Sequence, residues 1–417
     1  MSRTLICAIQ IGSSRICAAA AWRDQNGNYE IAAIETEQTL GCIRKGCIVD
    51  TEATAGHIKS LVMKLNNRIK SVDCRGIEAA YVGINGISIH NVLHHPDIVL
   101  EEGRSVSHEI ITSLRKESLG FTIDNYELLG LEPIGYTLDD IDCLNPNGRT
   151  GNKLIAHHQL IVGQKRLGLG VRNTMERTGI RLAGIIATPL SVAQILSPDE
   201  KQRGCCLVDI GHSLTSVSIY VGGMLQHLAT IPLGGNSVTQ DIAIAHDLPL
   251  EDAEKKKIAM EELDIVSLCR YEEIIANIAR QIELSGCKDR LAAGCILTGG
   301  ASLQNGLTTL IREQLGISRI MARGFSGICF GLSDRKPQFS SLTTMISLCT
   351  ADCESKPVIE QPKPVIPPST VKPADQEQIS SKKANETKKL QESTTPNASR
   401  RPGFGSFFRD LFSGIDE

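Results

Sequence analysis

The sequence predicts an internally duplicated α/β fold, and three observations support this prediction. Strand and helix patterns alternate through residues 5–350. Two similar modules, one around Gly12 and one around Gly211, each combine a strand meander and a tight turn with later helices. After residue 350 the chain becomes polar and Pro-rich. A duplicated α/β unit leaves a cleft between its halves, and that cleft is the expected ligand site.

The first module begins with two apolar strand patterns, 5–11 and 16–22, which a Gly-Ser turn joins. Residues 31–37 continue the predicted sheet. Between 58 and 69 the apolar residues recur at helical spacing, which predicts an amphipathic helix. Residues 79–84 predict a further strand.

The pattern repeats after residue 154. Residues 160–163 and 182–187 predict strands, and residues 169–178 between them predict a helix. A second three-strand meander with a Gly turn is predicted over 204–210, 216–221 and 224–232. The repetition of the meander is the basis for the predicted duplication.

Composition narrows the classes of protein that need to be considered. The net charge is −3 and the pI is about 6.4, so there is no general nucleic-acid signature and we expect no nucleic-acid partner. No apolar run is long enough to span a bilayer, and the N-terminus leads directly into a strand pattern without a secretory signal. The 14 cysteines contain no C-x-x-C pair. We therefore expect a reduced cytosolic protein with cysteines as small buried apolar residues, without disulfides or a zinc site.

Two hairpins carry the candidate phosphate-binding residues. The first contains Gly12, Ser13, Ser14 and Arg15. The second contains Asp209, Gly211, His212 and Ser213. Gly allows close approach of backbone N–H groups to an anion, and hydroxyls add further donors. An acidic residue at a strand end can hold hydrated Mg²⁺, and here that residue would be Asp209. Each hairpin alone is also compatible with an ordinary turn, but the pairing favours an anion site.

Three further segments predict the adenosine side of the same site. Gly234 and Gly235 precede a predicted helix over 238–245, and Glu254 and Lys257 share one helical face at i, i+3 spacing. A solvated helix surface is the alternative interpretation of that charged pair. The turn formed by Gly299, Gly300 and Ala301 follows a strand and leaves no bulky side chain in the way of an adenosine.

These segments, in this order, resemble the ATPase fold of actin, hexokinase and the sugar kinases, and within it the FtsA family of bacterial cell-division proteins. The resemblance implies ATP and Mg²⁺ as cofactors and a duplicated actin-like (ribonuclease-H-like) fold. It implies these divisions: domain 1A over 1–84 and 163–190, an inserted α+β domain 1C over 85–162, domain 2A over 191–235, a trimmed domain 2B over 236–290, a closing part over 291–350, a disordered linker over 351–399 and an amphipathic membrane-targeting helix over 400–417.

The chain departs from the family pattern on the phosphate side. Gln10 stands where the family usually has an acid, and Arg15 where it often has Lys. His212 and Ser213 occupy positions where Gly is usual, and their Cβ atoms obstruct close backbone approach to a phosphate. His212 could instead donate a hydrogen bond to a phosphate. We therefore expect ATP binding with at most weak ATPase activity and no dedicated catalytic residue.

The last eighteen residues form the second functional signature. Large apolar residues recur at the spacing of one helical face: Phe404, Phe407, Phe408, Leu411, Phe412 and Ile415. The preceding polar stretch offers this face no local core, so we expect it to lie at a membrane interface. A groove on a partner protein and docking on the chain's own globular part are the alternatives.

The resemblance implies an actin-like adaptor on the cytoplasmic face of the cell membrane at the division septum. Its implied partners are other copies of itself in a protofilament, membrane lipid, later division proteins and the tubulin-like protein FtsZ, whose C-terminal peptide would contact Lys255, Lys256 and Arg280. A sugar-kinase-like enzyme and a pilus-assembly ATPase of the same superfamily are alternatives. The kinase alternative lacks a convincing general base in the sequence.

Overall fold

The first half of the chain folds around an antiparallel meander, as its apolar runs predict. The structure, a computed structural model, describes residues 3–69, 76–101, 103–324, 329–330 and 337–354. Strands β1 (Thr4–Ile11), β2 (Arg15–Arg23) and β3 (Tyr29–Gln38) form the meander, in which Ile11 pairs with Ile16 across the first turn. The predicted terminal helix 400–417 and most of the predicted linker 351–399 lie outside the described residues.

A helix and a parallel strand extend this sheet. The short strands β4 (Ile43–Arg44) and β5 (Cys47–Ile48) lead into α1 (Thr51–Ile69). The apolar face of α1 is buried as its spacing predicts, and the helix packs over β2 and β3. Strand β6 (Ala79–Ile84) lies parallel to β1 and has the predicted bounds.

Residues 90–164 form a separate antiparallel sheet. Its elements are β7 (His90–His94), β8 (Asp97–Val99), α2 (His108–Leu119), β9 (Tyr126–Leu138), β10 (Ile141–Cys143) and β11 (Lys153–Gln164). The strand order is β10-β9-β11-β7, and β8 also pairs with β11. Helix α2 covers one end with Ile110 and Leu114 over Leu154. The prediction of a strand at 160–163 captured only part of β11, and the assignment of 85–162 to a domain 1C stays a prediction.

The chain then returns to complete the first sheet. Helix α3 (Lys165–Thr178) packs on α1, and β12 (Arg181–Ala187) lies parallel to β6. The helix begins four residues before the predicted 169–178. A left-handed Gly179, with φ of 74°, ends α3 and turns the chain into β12. The sheet now reads β12-β6-β1-β2-β3.

The second half repeats this architecture. It contains α4 (Thr188–Val192), α5 (Pro198–Arg203), β13 (Cys205–Ile210), β14 (Thr215–Val221), β15 (Met224–Ile231), α6 (Gly235–His246), α7 (Leu250–Ala259), α8 (Ile265–Leu284), β16 (Gly294–Thr298), α9 (Leu307–Leu315) and β17 (Ile320–Ala322). The sheet order β17-β16-β13-β14-β15 matches β12-β6-β1-β2-β3, with the same parallel and antiparallel pairings. The predicted duplication is therefore confirmed.

The last described elements return to the first half. Strand β18 (Cys329–Phe330) pairs with β3, and α10 (Ser340–Leu348) packs on the outer face of β1 and β2. Leu342 and Met345 of α10 are fully buried against Ile6 and Ala19. The N-terminal turn of α10 also meets the second half, where the Thr298 hydroxyl donates to Ser340 Oγ at 2.9 Å. Within the described residues, no helix has the length and apolar character that crossing a bilayer requires.

A shielded ion pair joins two segments of the second half. Arg323 donates to both carboxylate oxygens of Glu200 at 2.7 and 2.9 Å and to the Ile195 carbonyl at 3.2 Å. Glu200 also accepts from the Ser197 backbone N–H, which completes a capping box at the start of α5. Hydrogen bonds from Arg323 lower the pKa of Glu200 from 4.5 to about 2. The pair thus fixes α5 to the chain that leaves β17.

We expect Glu200→Gln to lower the free energy of unfolding at pH 7 by roughly 2–4 kcal/mol, because it leaves a partly buried guanidinium without its counter-charge. The lowered pKa means that the wild-type stabilisation is present above pH 4.5 and is lost as pH falls towards 2. Urea unfolding should show that the difference in free energy of unfolding between wild type and variant is smaller at pH 3 than at pH 7. Asp199→Asn, which affects only an exposed pair with Arg203, is the control. Equal gaps at both pH values would contradict the prediction.

Candidate functional site

One cleft collects the carboxyl ends of the parallel strands from both halves. It has a volume of about 410 Å³. Gln10 lies near the end of β1, Asn85 follows β6, and Thr188 follows β12. From the second half, Asp209 lies near the end of β13 and Gly299 follows β16. This edge is where open α/β sheets bind ligands, because loops and backbone dipoles converge there.

The two predicted hairpins have the same backbone geometry. The Gly12 N–H donates to the Arg15 carbonyl at 3.2 Å, and the Gly211 N–H donates to the Leu214 carbonyl at 2.8 Å. A Cβ at Gly12 would lie 2.8 Å from the Arg15 carbonyl oxygen, so the tight turn requires glycine. Ser13 and Ser14 in one hairpin, and His212 and Ser213 in the other, line the cleft.

A hydroxyl contact joins the tips of the two hairpins. The Ser213 hydroxyl donates to Ser13 Oγ at 2.7 Å, although the two residues are 200 positions apart. Ser13 Oγ also accepts from the Gly46 N–H at 3.3 Å. The Ser13 carbonyl in turn accepts from the Thr39 hydroxyl at 2.7 Å. In this structure the hydroxyls therefore close the space between the hairpins.

The predicted Gly-Gly loop supports the second hairpin from behind. The Gly235 N–H donates to the Gly211 carbonyl at 3.0 Å, and the Asn236 N–H donates to the His212 carbonyl at 2.7 Å. A Cβ at Gly234 would lie 2.7 Å from both of those carbonyl oxygens. Gly235 lines the cleft, whereas Gly234 lies behind it and lets the two loops pack.

Glu254 and Lys257 form the centre of a hydrogen-bond network on the wall of the cleft. Lys257 Nζ donates to Glu254 at 2.7 Å, to the Thr239 hydroxyl at 2.8 Å and to the Gly235 carbonyl at 3.0 Å. The Thr239 hydroxyl donates to the same Glu254 oxygen. Burial alone would raise the pKa of Glu254, but the hydrogen bonds from Lys257 and Thr239 outweigh it and lower the pKa. The network ties α7 to the start of α6, so the pair is built into the wall of the cleft.

The turn after β16 packs tightly against the end of β13 and requires glycine. Gly299 has φ of 86°, and a Cβ there would lie 2.3 Å from Asp209 Oδ1 and 2.5 Å from the Ile210 carbonyl oxygen. Only glycine fits this position. Gly300 and Ala301 continue along the cleft as the start of a short 3₁₀ helix, Gly300–Leu303.

Two titratable groups at the cleft have shifted pKa values. Burial raises the pKa of Asp209 from 3.8 to about 6, and a hydrogen bond with Ser341 offsets part of that rise. Burial lowers the pKa of His212, which the negative charge of Glu254 partly counteracts. His212 is therefore predominantly neutral at pH 7. Its tautomer decides which ring nitrogen donates a hydrogen bond and which accepts one.

Arg15 supplies positive charge at the mouth of the first hairpin. Its guanidinium lies 5.2 Å from the centroid of the Phe339 ring. Among the described residues, Arg15 makes no ion pair with a carboxylate. A guanidinium that is held by an aromatic ring and faces a cleft remains available for an anionic ligand.

The structure adds cleft residues that the sequence analysis did not select. These are Ile11, Cys17, Gly46, Asn85, Thr188, Leu214, Ile258, Tyr271, Leu303, Gln304, Gln338 and Ser341. Asn85 and Thr188 directly follow parallel strands, and that strand-end position is the signal by which they could have been found. Tyr271, Gln338 and Ser341 come from helices distant in sequence and carry no local signal.

The chemistry of the cleft fits a nucleotide with a divalent cation. The serine hydroxyls and Arg15 suit phosphate oxygens, and Asp209 can accept from the water ligands of Mg²⁺. Gly235, Gly299 and Gly300 leave a floor without bulky side chains, next to the Glu254 and Lys257 pair. The hydroxyl contact between Ser13 and Ser213 closes the space between the hairpins, so a phosphate would have to displace it.

The sequence comparisons with known proteins agree on one family. The family profile described as "Cell division protein FtsA" matches residues 206–342. The chain is 30% identical to "Cell division protein FtsA" of Porphyromonas gingivalis over 349 residues, which cover 76% of this chain and 72% of that protein. It is 26% identical to the protein of the same name from Pseudomonas aeruginosa over 412 residues, covering 87% of this chain and 97% of that protein.

Solved structures identify the fold. The "PilM-PilN type IV pilus biogenesis complex" superposes with a TM-score of 0.61 at 16% identity, covering 82% of this chain and 97% of that chain. Ethanolamine utilization protein EutJ from Carboxydothermus hydrogenoformans superposes with a TM-score of 0.50 at 14% identity, covering 83% and 90%. The predicted actin-like ATPase fold is therefore confirmed. At these identities the likeness concerns the fold alone.

We expect Asp209→Asn to raise stability increasingly as pH rises from 4 to 8. The raised pKa of Asp209 means that the folded protein holds this proton more tightly than the unfolded chain. The stabilisation that the Asp209 carboxyl group gives the wild type is therefore fully present below pH 3.8 and is lost as pH rises through about 6. Because Asn cannot ionise, the variant should gain roughly 1–3 kcal/mol over wild type at pH 8. Thermal unfolding across this pH range measures the trend.

Ser341→Ala provides the matched second variant for this prediction. It removes the hydrogen bond that lowers the pKa of Asp209, so the stability of this variant should fall more steeply with rising pH than that of wild type. Parallel pH profiles for wild type and Asp209→Asn would show that the carboxyl group is not held in a desolvated site.

Proposed function

The chain belongs to the cell division protein FtsA family, and we propose that this protein is an actin-like adaptor that binds ATP, assembles into protofilaments and tethers the tubulin-like protein FtsZ to the cytoplasmic membrane. The relationship to the Porphyromonas gingivalis protein over most of both chains is the observation that carries the proposal. The cleft at the strand ends supports its nucleotide part. Recruitment of later division proteins at the septum belongs to the same proposed role.

The nucleotide would lie with its phosphates between the hairpins and its nucleoside towards α7. The Arg15 guanidinium and the hydroxyls of Ser13 and Ser213 would bind the phosphate oxygens, with Gly12 and Gly211 shaping the two turns. Asp209 would orient the hydrated Mg²⁺. Bound Mg²⁺ would supply charge neutralisation for the phosphates. The nucleoside would lie over Gly299 and Gly300, beside Lys257 and the exposed Ile258.

Hydrolysis should be slow because, among the described residues that line the cleft, Asp209 has no second carboxylate beside it at the strand ends. Gln10 cannot act as a base or hold a cationic Mg²⁺ hydrate by charge. The carboxylate of Glu254 is already bound by Lys257 and Thr239. Asp209 alone remains near the phosphate side. The site therefore suits binding and conformational control better than turnover.

The helices of residues 236–290 would bind the C-terminal peptide of FtsZ. Side chains of α6, α7 and α8 leave large apolar groups exposed there, including Ile244, Leu250 and Ile265. Of the three basic residues that the resemblance selects, Lys255 is paired with Glu251 at 2.9 Å, and Arg280 lies 3.5 Å from Glu283. Lys256 makes no ion pair within the described residues. We therefore expect Lys256 to contribute more than Lys255 or Arg280 to the binding of an acidic peptide.

The terminal segment would anchor the protein reversibly to the membrane. Its six large apolar residues share one helical face, but a helix this short is marginal on its own. Arg400, Arg401 and Arg409 balance Asp410, Asp416 and Glu417, so attraction to anionic lipid is small. A single copy should bind weakly, whereas a filament that presents many copies should bind firmly through effective concentration.

We expect the protein to bind ATP with Mg²⁺ and to hydrolyse it far below the ~10 s⁻¹ that is typical of enzymes. Ser213→Gly should raise ATP affinity, because it removes both the obstructing Cβ and the hydroxyl that closes the hairpins. His212→Gly should act in the same direction. Calorimetry and ATP-dependent thermal stabilisation measure the affinities. Asn26→Gly, in the turn between β2 and β3 and outside the cleft, is the control.

Two results would overturn this part of the proposal. Absence of heat and of thermal stabilisation at millimolar ATP would remove the binding claim. Turnover near the enzyme median would favour the kinase-like alternative over an adaptor.

We expect the full chain to carry FtsZ into the pellet with liposomes when ATP is present. Phe408→Asp or Phe412→Asp should release both proteins into the supernatant, because a charge on the apolar face prevents insertion. Asp416→Ala, on the polar face, should change little. Lys256→Glu should retain liposome binding and lose FtsZ, which separates the two contacts.

The chain without residues 400–417 is the decisive comparison. If it sediments with vesicles as well as the intact chain does, the membrane role of the tail is wrong and a protein groove takes its place. If FtsZ pellets equally with wild type and Lys256→Glu, the assigned docking surface is wrong.

A further inference from the structure

A buried tyrosine hydroxyl at the cleft has no partner. Tyr271 of α8 is fully buried, with 0% of its surface exposed. Its Oη atom lies within hydrogen-bond distance of no donor or acceptor among the described residues. Buried phenol hydroxyls almost always find a partner, because an unmade hydrogen bond leaves the desolvation cost uncompensated. An unpaired Oη in a core position therefore calls for an explanation.

Tyr271 lies both in the core and at the cleft, and this position suggests an explanation for its unpaired hydroxyl. Its ring packs in the core of the second half with Ile242, Ala253 and Ile274. The same residue lines the cleft, beside Glu254 and Lys257. Tyr271 thus fills the core with its ring and also contributes to the wall of the site.

The neighbouring polar groups are already engaged and do not serve as its partner. Glu254 accepts from both Lys257 and Thr239, and Lys257 gives its remaining bond to the Gly235 carbonyl. Burial, and then the negative charge of Glu254, raise the pKa of Tyr271, so the phenol stays protonated across the physiological range. The group that remains free at this wall is a neutral hydroxyl, which can both donate and accept.

We propose that the Tyr271 hydroxyl forms a direct hydrogen bond with the nucleoside part of the bound nucleotide. The inference rests on the proposed nucleotide site and adds a binding residue to it. The nucleoside is favoured over the phosphates because Tyr271 lies on the helical wall with Glu254 and Lys257. The phosphate-binding groups belong instead to the two hairpins between β1 and β2 and between β13 and β14. The ligand thereby supplies the partner that the protein lacks.

Tyr271→Phe in the full chain tests the proposal through two opposite readouts. Affinity for ATP should fall roughly three- to tenfold, which is the range expected for one hydrogen bond. The melting temperature of the unliganded variant should equal or exceed that of wild type, because Phe removes a buried hydroxyl that makes no bond. A residue that serves only the structure would show the reverse pattern.

ADP serves as the second probe and locates the contact along the nucleotide. The loss of affinity should be the same factor for ADP as for ATP, because both carry the same nucleoside. A loss confined to ATP would place the hydroxyl at the terminal phosphate and overturn the assignment. Tyr220→Phe, which changes a buried tyrosine of β14 outside the cleft lining, is the matched control and should leave both affinities unchanged.

The outcomes separate this inference from the proposed function. If wild type binds neither ATP nor ADP, the nucleotide site itself is wrong, and the inference with it. If wild type binds both and Tyr271→Phe binds them equally well, only the role of Tyr271 is wrong. A lower melting temperature of the unliganded variant would show that the hydroxyl is already hydrogen-bonded within the protein, which would also overturn the inference.

Discussion

The convergence of parallel strand ends on one cleft is the constraint on which the rest of this structure depends. Strands β1, β6 and β12 end there from one half, and β13 and β16 end there from the other. At each of these ends the backbone must turn sharply without blocking the ligand space. Gly299 meets both demands, with its φ of 86° and no room for a Cβ beside Asp209. Duplication of one strand order therefore produced a binding site with two similar phosphate-side walls.

The two sides of the cleft differ in how completely they are prepared for a ligand. On the nucleoside side, Lys257, Glu254 and Thr239 are already fixed by mutual hydrogen bonds, which reduces the ordering cost of binding. On the phosphate side, Ser13 and Ser213 satisfy each other at 2.7 Å. A phosphate must break this hydrogen bond before it can bind the two hydroxyls. The free energy of the hydrogen bond therefore weakens phosphate binding. This difference supports the proposal that the protein binds a nucleotide without efficient turnover.

Hydrogen bonds across the cleft edge also limit how far the halves can separate. Asn91 of β7 accepts from the Leu228 N–H of β15 at 2.7 Å, and Gln159 of β11 donates to the Gln226 carbonyl at 3.2 Å. Asn85, directly after β6, donates to Ser216 Oγ at 2.7 Å. The separate antiparallel sheet thus bridges the second sheet at its edge strand. Such bridging favours small adjustments of the hairpins over wide opening, which suits a protein whose proposed role is assembly.

The sequence by itself determined the duplicated fold, most strand positions and fourteen of the cleft-lining residues, because local periodicity and glycine-containing turns encode them directly. It also identified the Glu254 and Lys257 pair from helical spacing alone. Only the tertiary structure decided that Ser13 and Ser213 touch, that Gly234 packs behind the hairpin, and that Tyr271 reaches the cleft without a partner. These facts depend on contacts between segments up to 200 residues apart. No local pattern records such contacts, because they arise only when segments that are distant in sequence are brought together by the fold.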